Sequence, residues 1–175
     1  MCAICNFKVD FGVSHPSALT VAVATRKAIE AGLIEPTDAA EGTLAAARAR
    51  MSAVDALNLL QARIEGAHSD DLLLSVPDFY VLLIENDTWG FFHATSEGFD
   101  PDIVPEMPDV TAAEEAKRSN ILIASEAALR GWLDGRVTIQ HALGESLFIV
   151  DATPACATSL TLMLAHAESS VPADC

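Results

Sequence analysis

Residues 121–151, ILIASEAALRGWLDGRVTIQHALGESLFIVD, hold a strand, two capped helices and a second strand. Ser125 offers an acceptor to the unpaired N–H groups that open a helix, and Gly135 tolerates the left-handed conformation that ends one. Thr138 and Gly144 repeat the start and the stop around IQHAL. LFIV then supplies the β-branched and aromatic residues that suit a strand.

Downstream, Thr153-Pro154 opens a last helix, ACATSLTLMLAHAES, ahead of the tail VPADC. Upstream, strands are expected over Leu72–Val76, Phe79–Glu85 and Trp89–Thr95, with Asn86-Asp87 turning the last two into a hairpin. FYVLLIE is apolar on both faces, as a central strand covered on both sides must be. The stretch SEGFDPDIVPEMPDVTAAEEAKRSN separates the two strand groups. A loop of that length is a lid, a binding loop or an insertion, with a short helix over TAAEEAKRS capped by Thr111.

Two helices come first. Ser14 or His15 caps ALTVAVATRKAIEA, with Pro16 in its first turn and Gly32 at its stop. That helix is apolar on several sides, which implies burial on more than one. Pro36-Thr37-Asp38 opens the second, running to Glu65 before Gly66. Leu44, Ala47, Met51, Val54, Leu57, Leu60 and Ile64 step along it by three or four and read as one stripe.

The 121–151 unit resembles the C-terminal half of the sterol-carrier-protein-2-like domain. There a strand leads to a helix, a GR turn, a short helix and a strand, followed by a C-terminal helix. Leu129, Gly135, Arg136, Ala142 and Leu143 carry the likeness, which extends over residues 72–167. It implies helices and a sheet that enclose an apolar tunnel for acyl chains or sterols. Trp89, Phe91, Trp132, Phe148 and Met163 would then stand near the sheet–helix junction as ligand-binding residues. An ordinary core has the same composition, since both exclude water. The first 70 residues depart from a compact family member, where one shorter helix precedes the sheet, so the second helix could plug the tunnel.

The chain has 175 residues, 51% of them hydrophobic, which suffices for one well-buried core. Its net charge of −15 sets ten basic side chains against twenty-five acids. Nucleic acid, which is bound through Lys and Arg by counterion release, is not expected as a partner, and neither is electrostatic docking to an anionic membrane. The apolar run at Leu72–Ile84 is broken by Ser75, Pro77 and Asp78, so no membrane span is expected. MCAICNFKVD lacks the basic start and apolar stretch of a secretory signal. A cytoplasmic location follows, where cysteines serve as thiols or ligands.

Chemistry-bearing patterns are few. Cys2 and Cys5 are spaced to chelate one metal or form a redox pair, with His15, Cys156 or Cys175 completing a site. The opening MCAI is similar to the MCGI start of class II glutamine amidotransferase domains, but it departs at Ala3 and the long strand-rich layers are missing. His93, in WGFFHAT, faces Glu85 in the hairpin reading, and the two could act as acid and base. Asp100, Asp102, Glu106 and Asp109 offer hard oxygens without the loop spacing of a calcium site. No phosphate loop, HExxH or GxSxG occurs, and no cofactor is expected.

The expected fold is therefore a single α+β domain over residues 1–175. It has a mixed sheet of about five strands, an N-terminal helical pair (1–70), an α+β part (72–167) and a tail (168–175). The expected function is a non-catalytic, lipid-carrier-like binding module for an apolar or acyl-chain small molecule. The alternatives are a small enzyme using His93 and Glu85, or a metal or redox site on Cys2 and Cys5. A homodimer through the N-terminal helices would cover their surplus apolar surface.

Overall fold

Ile121–Asp151 folds as its boundary residues dictate. In the computed structural model, which describes residues 8–9, 15–37, 42–100, 103 and 105–169, strand β6 (Ile121–Ala124) runs into helix α4 (Glu126–Leu133). Ser125 is extended and its side chain accepts from the Ala128 N–H. Gly135 takes φ +72°, so its N–H reaches the Trp132 carbonyl and that of Arg136 the Gly131 carbonyl. This pair of bonds satisfies the last carbonyls of α4. Thr138 caps α5 (Ile139–Gly144) by accepting from the His141 N–H, and β7 (Phe148–Asp151) follows. Gly144 does not supply the stop. The helix runs through it, and the left-handed residue is Ser146, at φ 59°.

The other elements are β1 (Lys8–Val9), α1 (Ala18–Glu30), α2 (Gly42–Ala67), α3 (Asp70–Leu73), β2 (Phe79–Leu83), β3 (Thr88–Phe92), β4 (Ala94–Thr95), β5 (Gly98–Phe99) and α6 (Pro154–Ser169). The main sheet has the order β1-β3-β2-β6-β7. Only β2 and β6 run parallel, in the register Tyr80↔Ile121 to Leu83↔Ala124. The fold is thus α+β with a mixed sheet, and β4–β5 form a separate small hairpin.

The central strands are buried on both faces, and two cores share the sheet. Phe79, Val81, Leu83 and Leu122 face α2, α4 and α6 with Leu57, Trp132 and Met163 in the first core. Tyr80, Leu82, Ile121 and Ile123 belong to the second. It is covered by Val21 of α1 and by Val110 and Ile103 of the long loop. The Tyr80 hydroxyl donates to the Glu106 carbonyl, so that loop is a cover for the sheet.

Four expectations are corrected. Leu72–Val76 holds no strand: Asp70 and Asp71 occupy the first turn of α3, where carboxylates suit the helix dipole, and Pro77 follows the end of the run. Around TAAEEAKRS only a 3-10 turn forms, at Glu115–Lys117, and Asp109 rather than Thr111 accepts the local N–H bonds. The stripe on α2 is not straight. Steps of mostly three residues precess, so Leu44 and Ile64 stand about 160° apart around the helix at 100° per residue. Leu57, Leu60 and Ile64 are fully buried, whereas Leu44 and Met51 are 67% and 72% exposed. Finally, α1 buries a single line, Val21, Thr25 and Ala28, and leaves Leu19 and Val23 in solvent.

Candidate functional site

The start of α4 joins three other elements. Glu85, at the tip of the β2–β3 hairpin, accepts from the Glu126 N–H at 2.8 Å and more weakly from the Ala127 N–H at 3.4 Å. Thr25 of α1 donates its hydroxyl to Ser125 Oγ at 2.8 Å. Ser52 of α2 donates to Glu126 Oε1 at 2.5 Å, and Arg130 Nε donates to the same oxygen at 2.9 Å. Arg130 Nη2 closes the ring on the Ser52 carbonyl at 2.9 Å.

Beside this network lies a cleft of about 1040 Å³, between the first half of α2, α4, residues 35–37 and the hairpin tip. Its walls include Ala45, Ala46 and Ala49 of α2 and Ala127 of α4. Glu126, Arg130 and Ser52 form its polar floor. Arg136 pairs with Glu35 at 2.7 Å on one side, and Arg48 has no ion-pair partner among the described residues. Gly131 sets the width. A β-carbon there would meet Ile34 Cγ2 at 2.5 Å, so only glycine lets the segment before Glu35 lie so close to α4.

The electrostatics are mixed. Glu126 is buried and held by two donors. Glu85 is exposed as a residue, but its carboxyl is turned into the cleft. Burial there raises its pKa above the usual 4.5, helped by the Glu126 charge and opposed by the N–H bonds it accepts. A carboxyl whose pKa is raised in the fold contributes stability that is fully present below its unfolded value and is lost as pH rises through the folded one. Unfolding titrations from about pH 4 to about pH 7 should therefore show wild type losing stability relative to Glu85→Gln as pH rises. A difference that stays flat would remove this account of Glu85.

The ligand-binding residues expected from sequence fall into two groups. Trp89 and Phe91 lie in the second core, whereas Trp132, Phe148 and Met163 lie in the first, with the sheet between. All five are at most 8% exposed. His93 and Glu85 do not meet, which corrects the acid–base pairing. The register Phe79↔Phe92 to Leu83↔Thr88 puts them at opposite ends of the hairpin, roughly 20 Å apart at 3.3 Å per residue. His93 Nδ1 instead approaches the Asp78 carboxylate at 2.9 Å.

Cys2, Cys5 and Cys175 lie outside the described residues. Cys156 is a half-buried free thiol. His15 has both ring nitrogens engaged: Nδ1 accepts from the Ser17 N–H and Nε2 meets Asp151 at 3.0 Å. Asp151 also takes Arg118, so His15 ties the start of α1 to β7 and offers no lone pair to a metal. No helix of the described residues is long and apolar enough to cross a membrane.

Sequence reasoning passed over Ser52, Glu126 and Arg130. The signal was available in part. Glu126 and Arg130 stand four apart on a helix whose intervening residues are Ala127, Ala128 and Leu129, a spacing at which opposite charges meet. No family model matches this chain, and no curated protein or solved structure matches it either.

Proposed function

We propose that the protein is a non-catalytic binding module for an apolar or acyl-chain small molecule, seated in the cleft between α2 and α4. The cleft carries this reading. Its volume of about 1040 Å³ is at the upper end of ligand pockets, and alanines of α2 and α4 stand there among the polar side chains of Glu35, Arg48, Asn86 and Asp134. An acyl chain lies against Ala45, Ala49 and Ala127, and its polar end meets the guanidinium of Arg48, which has no ion-pair partner among the described residues. The order of strand, helix, GR turn, short helix, strand and C-terminal helix is the pattern from which a lipid-carrier-like role is proposed. A binding role is favoured over catalysis by the state of the polar groups. Ser52 donates a hydrogen bond to Glu126, to which Arg130 also donates, so these groups are spent on the contact between α2 and α4. An organic extract of the purified chain should contain about one lipid per chain, or the emptied protein should displace a fluorescent fatty acid saturably. Failure of both would overturn the proposal.

The exposed apolar faces favour a homodimer through the N-terminal helices. Leu44 and Met51 stand on α2 away from the core, and Leu19 on α1 is 74% exposed. Such faces are self-complementary in a twofold pair. Light scattering should give twice the monomer mass for wild type and the monomer mass for Met51→Glu. A wild-type monomer at micromolar concentration would contradict it.

A further inference from the structure

We propose a two-histidine site for a divalent transition-metal ion, formed by His68 and His166 where the end of α2 meets α6. This site is separate from the cleft and does not rest on it. His68 follows the last turn of α2 and is 8% exposed. Its Nδ1 lies 2.8 Å from the Ile64 carbonyl oxygen. A carbonyl only accepts, so Nδ1 carries the proton and Nε2 holds the lone pair. That Nε2 is fully buried and has no hydrogen-bond partner among the described residues. A buried acceptor left without a donor is costly, and it calls for an occupant.

His166, on α6, supplies the second nitrogen. Its ring centre stands 4.7 Å from that of His68, with the planes 73° apart. An ion about 2.1 Å from one nitrogen of each ring puts two imidazole centres about 5 Å apart. The two rings stand within that reach but meet edge to face, and His166 is exposed, so turning its side chain brings a nitrogen toward Nε2 without disturbing the core. A ring N–H donated to a backbone carbonyl is also the arrangement that orients metal-bound histidines. Neutral imidazoles select Zn²⁺, Cu²⁺ or Ni²⁺ over Ca²⁺ and Mg²⁺, which take oxygen ligands. With one nitrogen buried and the other at the surface, the ion is reached from the His166 side, and it clips α2 to α6.

Calorimetric titration with Zn²⁺ tests the site on the full, reduced chain. Wild type and the Cys2→Ser/Cys5→Ser variant should bind one equivalent alike, and Mg²⁺ should not compete. His166→Ala, which alters an exposed residue and keeps the fold, should bind at least about tenfold more weakly. Equal binding by His166→Ala, or no binding by wild type, overturns the proposal. So does loss of binding in the cysteine variant alone, which places the ion at the N-terminal thiols.

Discussion

Replacing Arg130 by leucine is expected to destabilise the fold by about 3 kcal/mol, the usual range for stranding one partner of a buried ion pair. The asymmetry of the pair sets the sign and size. The Glu126 side chain is 3% exposed and that of Arg130 33%, so the carboxylate stays buried when the guanidinium goes. Ser52 alone then faces the charge. A second substitution separates this cause from lost packing. Glu126→Leu added to Arg130→Leu removes the orphaned charge and should recover at least half of the lost stability, because a buried pair is often worth no more than well-packed apolar groups. Urea unfolding of the four species gives the coupling directly. Additive losses in the double variant would mean that Arg130 acts through packing alone.

Trp132→Ala is expected to cost about 3–5 kcal/mol, as for other large aromatic truncations in cores. Trp132 is 1% exposed, with the Phe148 ring centre 6.3 Å away and the Arg63 guanidinium 5.8 Å from its own. Arg63 Nη2 donates to the Leu133 carbonyl, so the indole is clamped from above by a fixed group. The variant distinguishes a core from a ligand wall. A core residue loses stability and leaves fatty-acid affinity unchanged while the protein stays folded. A tunnel wall loses little stability and changes affinity. Only the first outcome agrees with a seat in the cleft.

The fold was legible where local signals agreed with burial. Ser125, Thr138 and Gly135 each act at the helix boundary their chemistry suggests, and the both-face apolarity of Phe79–Leu83 marks the central strand. Legibility failed where two local signals competed. At Leu72–Val76 an apolar run suggested a strand, yet Asp70 and Asp71 at its head favour a helical turn. It failed again where a pattern was traced without its angle. The α2 residues recur at core-like spacing, but the accumulated rotation carries Leu44 and Met51 away from the core.

The candidate site was less legible than the fold, for a geometric reason. Aromatic residues attract attention as pocket walls, but Trp89, Phe91, Trp132 and Phe148 divide between two cores on either side of one sheet. The cleft is built from alanines and from Ser52, Glu85, Glu126 and Arg130, which lie on three elements. Their approach depends on how α2 crosses α4 and on the close contact of Ile34 with Gly131. Neither is encoded in a local period. His93 and Glu85 failed as a pair for a related reason: hairpin register sets neighbours, and theirs are Asp78 and the start of α4.

Amide chemical-shift mapping on the full, isotopically labelled chain during titration with a fatty acid tests the location of the ligand most directly. The expected result is a saturable set of shifts on Ala45, Ala49, Ala127 and Gly131, with the Trp89 and Trp132 indole signals unmoved. Ala49→Trp, which fills the cleft from a half-buried position, should abolish that response while the spectrum stays folded. Shifts centred on Trp89 and Phe91, or a response that survives Ala49→Trp, would contradict the cleft as the seat of binding.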